Sequence, residues 1–458
     1  MAVGAGTKRL AWTAAARGIV SLPMATMMTS PLFARVTGQA SRRGLIPRVP
    51  SGDDLLTAVE TWLTSTYPDA RRPTRRGASD PDGAELAVTL HPASRELIVT
   101  ASDAGRVTIS AETEPVGPGY HRFVGRLLER MAIDIAITWD LAAADGEDRA
   151  VETAGTTFAD RATAERAYLG WLGRTLLGAR AVRASGGAGI QVGIAPDVQY
   201  TFDGAIATVL GPRDDAWLES ALADTRIATD ITPWWADATD GQYLLNRALC
   251  LMWLEVRWRP PAMTRERVLL EEVHRMLAKA FPIDPGLAYP WRAWAELVAL
   301  LGADDAMARQ VIDRAAHQPE AAPIGYRRDP VTISHEGWAL EIPGSFAERR
   351  TAEEWWGGGA GRNITLAAVQ TGTESGAMSA QAFVQQFAGE LGPDAIDHHA
   401  GGVIGRATLS SDTSSGLEVG VLDGYSAVTG SGAAIRIVFD DPADWQWALD
   451  TWRSLAPG

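Results

Sequence analysis

The apolar positions change period along the chain. Leu56, Val59, Trp62 and Leu63 recur at helical spacing behind Asp53 or Asp54, either of which can cap the helix, and Pro68 stops it. Residues 71–83 are rich in Arg, Pro, Asp and Gly and read as a loop. Beyond them the period drops to two: Leu86, Val88 and Leu90, then Leu97 and Val99, then Val107 and Ile109 alternate as the strands of a meander do. Gly117-Pro118-Gly119 breaks that pattern and leads into Phe123, Leu127, Leu128 and Met131 on one helical stripe, with a further helix near 162–181.

From about 240 to 316 the pattern is helical. Between Tyr243 and Trp258 apolar residues occur on nearly every side, which marks a buried central element and gives Cys250 a packing role. Leu269, Val273, Met276, Leu277 and Ala280 form the stripe of a second helix, ended by Pro282 and Pro285. A third carries Trp291, Trp294, Val298 and Leu301 behind Pro290 and stops at Gly302; a fourth runs through Met307, Val311 and Ala315 behind Asp304 or Asp305. No fixed period repeats, so the expectation is a small antiparallel bundle packed around Trp253, Trp258, Trp291 and Trp294.

Residues 318–330, with three prolines and a glycine, form the best linker in the sequence. After it Trp338, Leu340 and Ile342 alternate, then Ile364 and Leu366. Phe383, Val384, Phe387 and Leu391 follow Ser379 as a helix; 403–409, 417–422 and 434–439 read as strands. Asp441 and Pro442 then open a helix with Trp445, Leu449, Trp452 and Leu455 along one face. The opening GWALEIPGSF (337–346) and the closing AAIRIVFDDPADWQWALDTWRSL (433–455) resemble the PsbP-like and DcrB-like domains. The likeness covers about 130 of the 458 residues and brings no catalytic motif with it. It implies an antiparallel sheet flanked by helices, in a group whose members serve as accessory subunits, assembly factors, lipoproteins and effector chaperones. No lipoprotein-type cysteine stands near the N-terminus, which favours a cytoplasmic member.

The fold class expected is therefore α+β and multidomain: an N-terminal α/β domain with an antiparallel sheet over 51–230, a helical segment over 231–317, the linker, and a PsbP-like domain over 331–458. Lys8, Arg9, Arg17, Arg35, Arg42, Arg43 and Arg48 all precede the first acid, Asp53, so residues 1–50 read as a basic disordered tail or as an upstream extension with the true start at Met24, Met27 or Met28. Arg17 interrupts the apolar stretch that a signal peptide needs, and no run is long enough to span a membrane.

A net charge of −14 argues against nucleic acid as a partner, since such binding draws on clustered Lys and Arg. Lys8 and Lys279 are the only lysines, a bias typical of a high-GC bacterial genome, and neither has the neighbours of a phosphate-loop or Schiff-base lysine. A single cysteine excludes an intramolecular disulfide and a thiolate metal cluster and fits a reducing cytoplasm.

Seven histidines offer no His-x-x-x-His pair, and His398 with His399 would point to opposite faces of a strand, so no metal is predicted. The glycines of 186–193 miss the dinucleotide fingerprint by one position and precede a strand, so no cofactor is predicted either. No Gly-x-Ser-x-Gly elbow exists. The one candidate for catalysis is His121, because a Gly-Pro-Gly turn at a helix start presents backbone N–H groups that can hold an anion beside an imidazole. Trp355 and Trp356, beside a glycine run on an expected loop, and Trp234 and Trp235 behind Pro233 are the candidate contact residues for a partner. These readings lean away from an enzyme and toward a non-catalytic adaptor, chaperone or immunity-like factor that binds another protein. The alternative is a hydrolase or transferase centred on His121 with acids from elsewhere, such as Asp140.

Overall fold

The protein is an α+β molecule. A computed structural model describes residues 33–41, 50–68, 73–77, 84–140, 158, 160–187, 189–200, 202, 206–320, 322–351, 353–372, 376–389, 391–413 and 418–458.

The N-terminal region builds a six-stranded antiparallel sheet from β1 (Phe33–Ala40), β2 (Thr74–Gly77), β3 (Ala84–Val88), β4 (Leu97–Ala101), β5 (Arg106–Glu112) and β6 (Ile137–Asp140), in the order β2-β3-β4-β5-β1-β6. Helices α1 (Gly52–Thr66) and α2 (Pro118–Asp134) pack on one face, burying Leu56, Val59, Leu127 and Met131 against Val36, Val99 and Ile109. The Ser51 hydroxyl caps α1, accepting from the Asp54 N–H at 3.2 Å, in place of the aspartates expected there. Of the basic stretch read as a tail, residues 1–32 and 42–49 lie outside the described residues, and Phe33–Ala40 is an inner strand between β5 and β6. Ala34, Val36 and Ala40 face the core while Arg35 and Gln39 face water, so Arg35, one of the seven basic residues that suggested a tail, sits on the solvated side of a strand. Part of the expected loop 71–83 is also strand, as β2.

Helices α3 (Arg161–Ala184) and α4 (Asp215–Ala223), with β7 (Gln191–Val192) and β9 (Ala207–Thr208), enclose a smaller core around Tyr168, Leu172, Leu176 and Leu218; β8 (Val198–Tyr200) passes between β7 and β9 in sequence. The helical region follows as α5 (Gly241–Leu254), α6 (Thr264–Ile283), α7 (Trp291–Leu301) and α8 (Ala306–Ala316). The all-round hydrophobicity of α5 has a simple cause: it serves two cores. Leu245, Ala248, Leu251 and Met252 face the helical core, whereas Cys250, Trp253 and Leu254 face the main one. Trp291 and Trp294 stack at 5.4 Å within the helical core and Trp258 packs against it, but Trp253 turns away to Tyr326, 4.9 Å between rings.

The stretch expected as a linker is anchored. Tyr326 and Arg327 are buried in a short 3-10 turn, and the Tyr326 hydroxyl donates to the Thr208 carbonyl and accepts the Thr208 N–H, both at 2.9 Å. Beyond it β10 (Val331–His335) pairs with β11 (Trp338–Ile342) on one side and with β8 on the other, so the polypeptide on either side of the helical region shares one sheet. A seven-stranded antiparallel sheet is then laid down by β12 (Ala347–Arg350), β13 (Trp355–Gly359), β14 (Arg362–Gln370), β15 (Ile396–Ala400), β16 (Val403–Asp412), β17 (Val419–Val428) and β18 (Ser431–Phe439), in the order β12-β13-β14-β18-β17-β16-β15. Helix α9 (Ala380–Phe387) lies on one face and α10 (Trp445–Arg453) on the other; β19 (Ala456–Pro457) completes the β10–β11 sheet. Among the described residues no helix is long and apolar enough to cross a membrane.

Candidate functional site

The turn before α2 holds chain, where an anion was the expectation. Gly117 takes φ +114°, and a Cβ there would lie 2.3 Å from Thr232 Cγ2; one at Gly119 would lie 2.3 Å from the Ala236 carbonyl oxygen. The glycines thus let residues 232–236 lie directly on the helix start. The Gly119 N–H donates to the Trp234 carbonyl at 3.0 Å, and the Trp234 N–H donates to the Val116 carbonyl at 2.9 Å. His121 is fully buried one turn in, with Nδ1 2.9 Å from Thr113 Oγ1 and its ring stacked on Phe158 at 4.5 Å. Asp140 is exposed at the end of β6.

Trp234 and Trp235 divide between two cores. Trp234 is buried among Tyr120, Phe123, His91 and Tyr243, with ring centroids 4.3 to 6.2 Å away. Trp235 is half-buried against Tyr168 of α3, edge-on at 5.8 Å. His91 Nδ1 accepts the Ala93 N–H at 3.1 Å; burial, and then the nearby Arg247, hold this imidazole well below its ordinary pKa and therefore neutral.

Trp355 and Trp356 lie on a strand, so their rings point to opposite faces. Trp355 is completely buried, and its indole N–H donates to Glu348 Oε2 at 3.1 Å. Glu348 Oε1 also receives Arg257 Nη2 at 2.8 Å and Arg327 Nη1 at 2.6 Å, while Arg327 Nε and the Tyr200 hydroxyl donate to the Leu254 carbonyl. Burial pushes the Glu348 carboxyl up, but the two guanidiniums and the Trp355 indole together hold it below its ordinary value. Burial, and then its neighbour Arg327, bring Arg257 down to about 10. This ionic cluster ties β8, the end of α5, the anchored turn and the seven-stranded sheet into one joint.

Trp356 stands half-buried on the outer face of the same sheet. Cross-strand register sets Thr365, Arg436, Asp423 and Thr408 in one row there, and Ala367, Ala434, Tyr425, Arg406 and Asp397 in the next. Small side chains between Tyr425 and the Arg436–Asp423 pair, 3.7 Å apart, leave a shallow depression of about 150 Å³. Helix α9 closes one end of this face by packing Phe383 against Ala427, and leaves Phe387 44% and Val369 49% exposed beside it. A second groove of about 400 Å³ runs past Arg328, Pro330, Glu341, Arg362, Trp447 and Asp450. Its two arginines are engaged already: Arg328 is bidentate to Glu296 and stacked on Trp258 at 4.0 Å, and Arg362 is bidentate to Asp444 and stacked on Trp447 at 4.6 Å.

His398 and His399 occupy β15, with His398 edge-on to Trp452 at 5.6 Å. Among the described residues no group of three or more His, Cys, Asp or Glu is placed to hold a metal ion. The outer-face row around Tyr425 escaped sequence reasoning; the alternation of β17 and β18 carried the signal, but which side faced water depended on where α9 and α10 pack.

No family model matches the sequence, and no curated protein matches it. Among solved structures, one from Bacteroides thetaiotaomicron VPI-5482, determined by crystallography at 1.50 Å, is similar over 27% of this chain and 45% of its own, at 11% identity and a TM-score of 0.23. This chain therefore spans less than half of that structure, and the likeness carries no inference about fold or function.

Proposed function

We propose that the protein is a non-catalytic binding factor of the bacterial cytoplasm, an adaptor, chaperone or immunity-like protein whose partner is another protein and whose contact region is the outer face of the C-terminal, PsbP-like sheet. The observation that supports this reading is the composition of that face. Trp356, Tyr425, Val369 and Phe387 offer rings and aliphatic surface around small residues, and the charges interleaved with them are balanced by Arg436–Asp423 and Arg406–Asp397 pairs. Aromatic residues with a few oriented charges are what protein-recognition patches carry, whereas a nucleic-acid surface carries unpaired cations. Trp234, Trp235 and Trp355 serve packing, which leaves Trp356 as the contact residue of the four tryptophans singled out in the sequence. The test is capture of partners from the native host with the parent chain and with a Trp356→Ala, Tyr425→Ala double variant. A stoichiometric protein recovered by the parent and lost by the variant supports the reading; no stoichiometric partner, or equal recovery by both, sinks it.

A further inference from the structure

Strand β15 ends the seven-stranded sheet and pairs on one side only, with β16. Proteins commonly guard such an edge with proline, lysine or a bulge. This strand has none of them: Ile396-Asp397-His398-His399-Ala400 pairs with 403–407 in unbroken register, and Asp397, His399 and Ala400 are exposed. The turn that closes the hairpin fixes which backbone groups lie on the free edge. Gly401 and Gly402, at φ +57° and +84°, form a two-residue type I′ turn, which closes on a hydrogen-bonded pair, here Ala400 with Val403. Bonded and non-bonded pairs alternate from there. Ile396, His398 and Ala400 therefore bond inward to β16, and the N–H and C=O groups of Asp397 and His399 point off the sheet. Among the described residues no other backbone group bonds to them.

This edge is complementary to its own reverse. Set antiparallel to a second copy about a two-fold axis at His398, it places Asp397 against His399 of the copy, and His399 against the copy's Asp397. These are the residues whose backbone groups face outward, so each of the two pairs can exchange both of its N–H···O bonds. Their side chains share the outer face of the sheet, where carboxylate meets imidazole across the strands. Arg406, 3.8 Å from Asp397, continues that row with a third charge. On the inner face Ile396 meets Ala400, and the two His398 rings meet at the axis. Burial, then Arg453 and His399, hold the His398 imidazole below its ordinary pKa, and two neutral rings can each donate and accept. Centring the axis on Asp397 or on His399 would instead set like residues opposite each other.

We propose that β15 is a self-association edge, at which two copies of this chain pair their β15 strands antiparallel about His398 and join two seven-stranded sheets into one. The inference goes beyond the partner reading and holds whether or not the outer face meets another protein. The interface is small, so a dissociation constant of about 1 to 100 µM is expected. Sedimentation equilibrium of the full chain across that concentration range is the test. A mass that rises from one chain to two supports the proposal; a single-chain mass throughout overturns it. The His399→Asp variant sets carboxylates opposite each other in both pairs and should raise the dissociation constant about tenfold. Adding Asp397→His to it restores opposite partners and should bring the constant back toward the parent value. A parent dimer that His399→Asp does not weaken, or a weakened one that the second exchange does not rescue, places the contact elsewhere and overturns the proposal.

Discussion

The outer face of the six-stranded sheet carries a row of threonines and, among the described residues, no ring, while that of the seven-stranded sheet sets Trp356 and Tyr425 among its charged pairs. Across the first, Thr37, Thr108, Thr100 and Glu85 stand side by side, with Thr37 Oγ1 3.3 Å from Thr108 Oγ1. Across the second, Trp356 stands in the row of Thr365, Arg436, Asp423 and Thr408, and Tyr425 in the next with Ala367, Ala434, Arg406 and Asp397. Inside, the two are alike: Val36, Val99 and Ile109 in one, Leu366, Ile435 and Ile437 in the other, all buried under helices. Folding needs the inner faces of both, and on the outer face of the second it uses the end where α9 packs Phe383 against Ala427. Threonine suits a face that only needs solvation, and tyrosine and tryptophan are the residues that the proposed partner contact would use.

The contrast can be broken most forcefully from within. Replacing Glu348 by Ala leaves Arg257 and Arg327 buried without their carboxylate, and denaturant unfolding of this variant is expected to show a loss of about 3 to 5 kcal/mol. A loss under about 1 kcal/mol would mean that the ionic joint behaves like a surface pair. Next in size is Gly119→Ala on the N-terminal side. Its new methyl meets the Ala236 carbonyl and Trp234, and calorimetry should register a cost of about 1 to 3 kcal/mol, with the 232–236 segment more open to proteolysis.

Acid provides a third, intermediate effect. His91 has a folded pKa well below its ordinary 6.5, so below that pH the unfolded chain binds a proton that the native chain refuses. The contribution is complete above pH 6.5 and is lost progressively as pH falls from there toward the depressed folded value. His335 and His398 are depressed in the same direction, chiefly by burial, so His91→Phe should shallow the fall of the unfolding midpoint between pH 7 and pH 5 and leave part of it in place. An identical slope in parent and variant would show that His91 titrates alike in both states. Smallest is Arg436→Ala on the outer face: under 1 kcal/mol in stability, because the residue is exposed and its pair with Asp423 is solvated, with weaker capture of a protein partner expected from the proposed function. A larger stability loss would make this face part of the fold's own packing.

Much of this architecture was legible in the sequence wherever side-chain volume varied with the right period. The meander of β3 to β5, the stripes of α6 to α8 and the helix behind Pro442 follow directly from apolar spacing. Strand β13 did not, because Trp355-Trp356-Gly357-Gly358-Gly359 shows no alternation of apolar and polar residues. It alternates in another way: the Trp355 ring lies over Gly357 and the Trp356 ring over Gly358, each indole covering the residue two places on along its own face. Strand β15, Ile396-Asp397-His398-His399-Ala400, was hidden because an edge strand with little burial carries little apolar signal. At the candidate sites, the Gly-Pro-Gly turn was visible but its occupant was not. Trp234 is more than a hundred residues away, and only tertiary structure brings its carbonyl to the Gly119 N–H.

The same accommodation recurs through the C-terminal sheet. Trp452 lies against Gly405 and Gly424, Phe439 over Gly420, and Phe383 over Gly432; a methyl group at Gly420 or Gly432 would fall 2.1 to 2.2 Å from a ring carbon. Each such pairing acts as a key in a keyhole. Sliding β17 or β18 by two residues would preserve the apolar and polar sides yet set a bulky group where a bare backbone is required, so the strands can assemble in one alignment only.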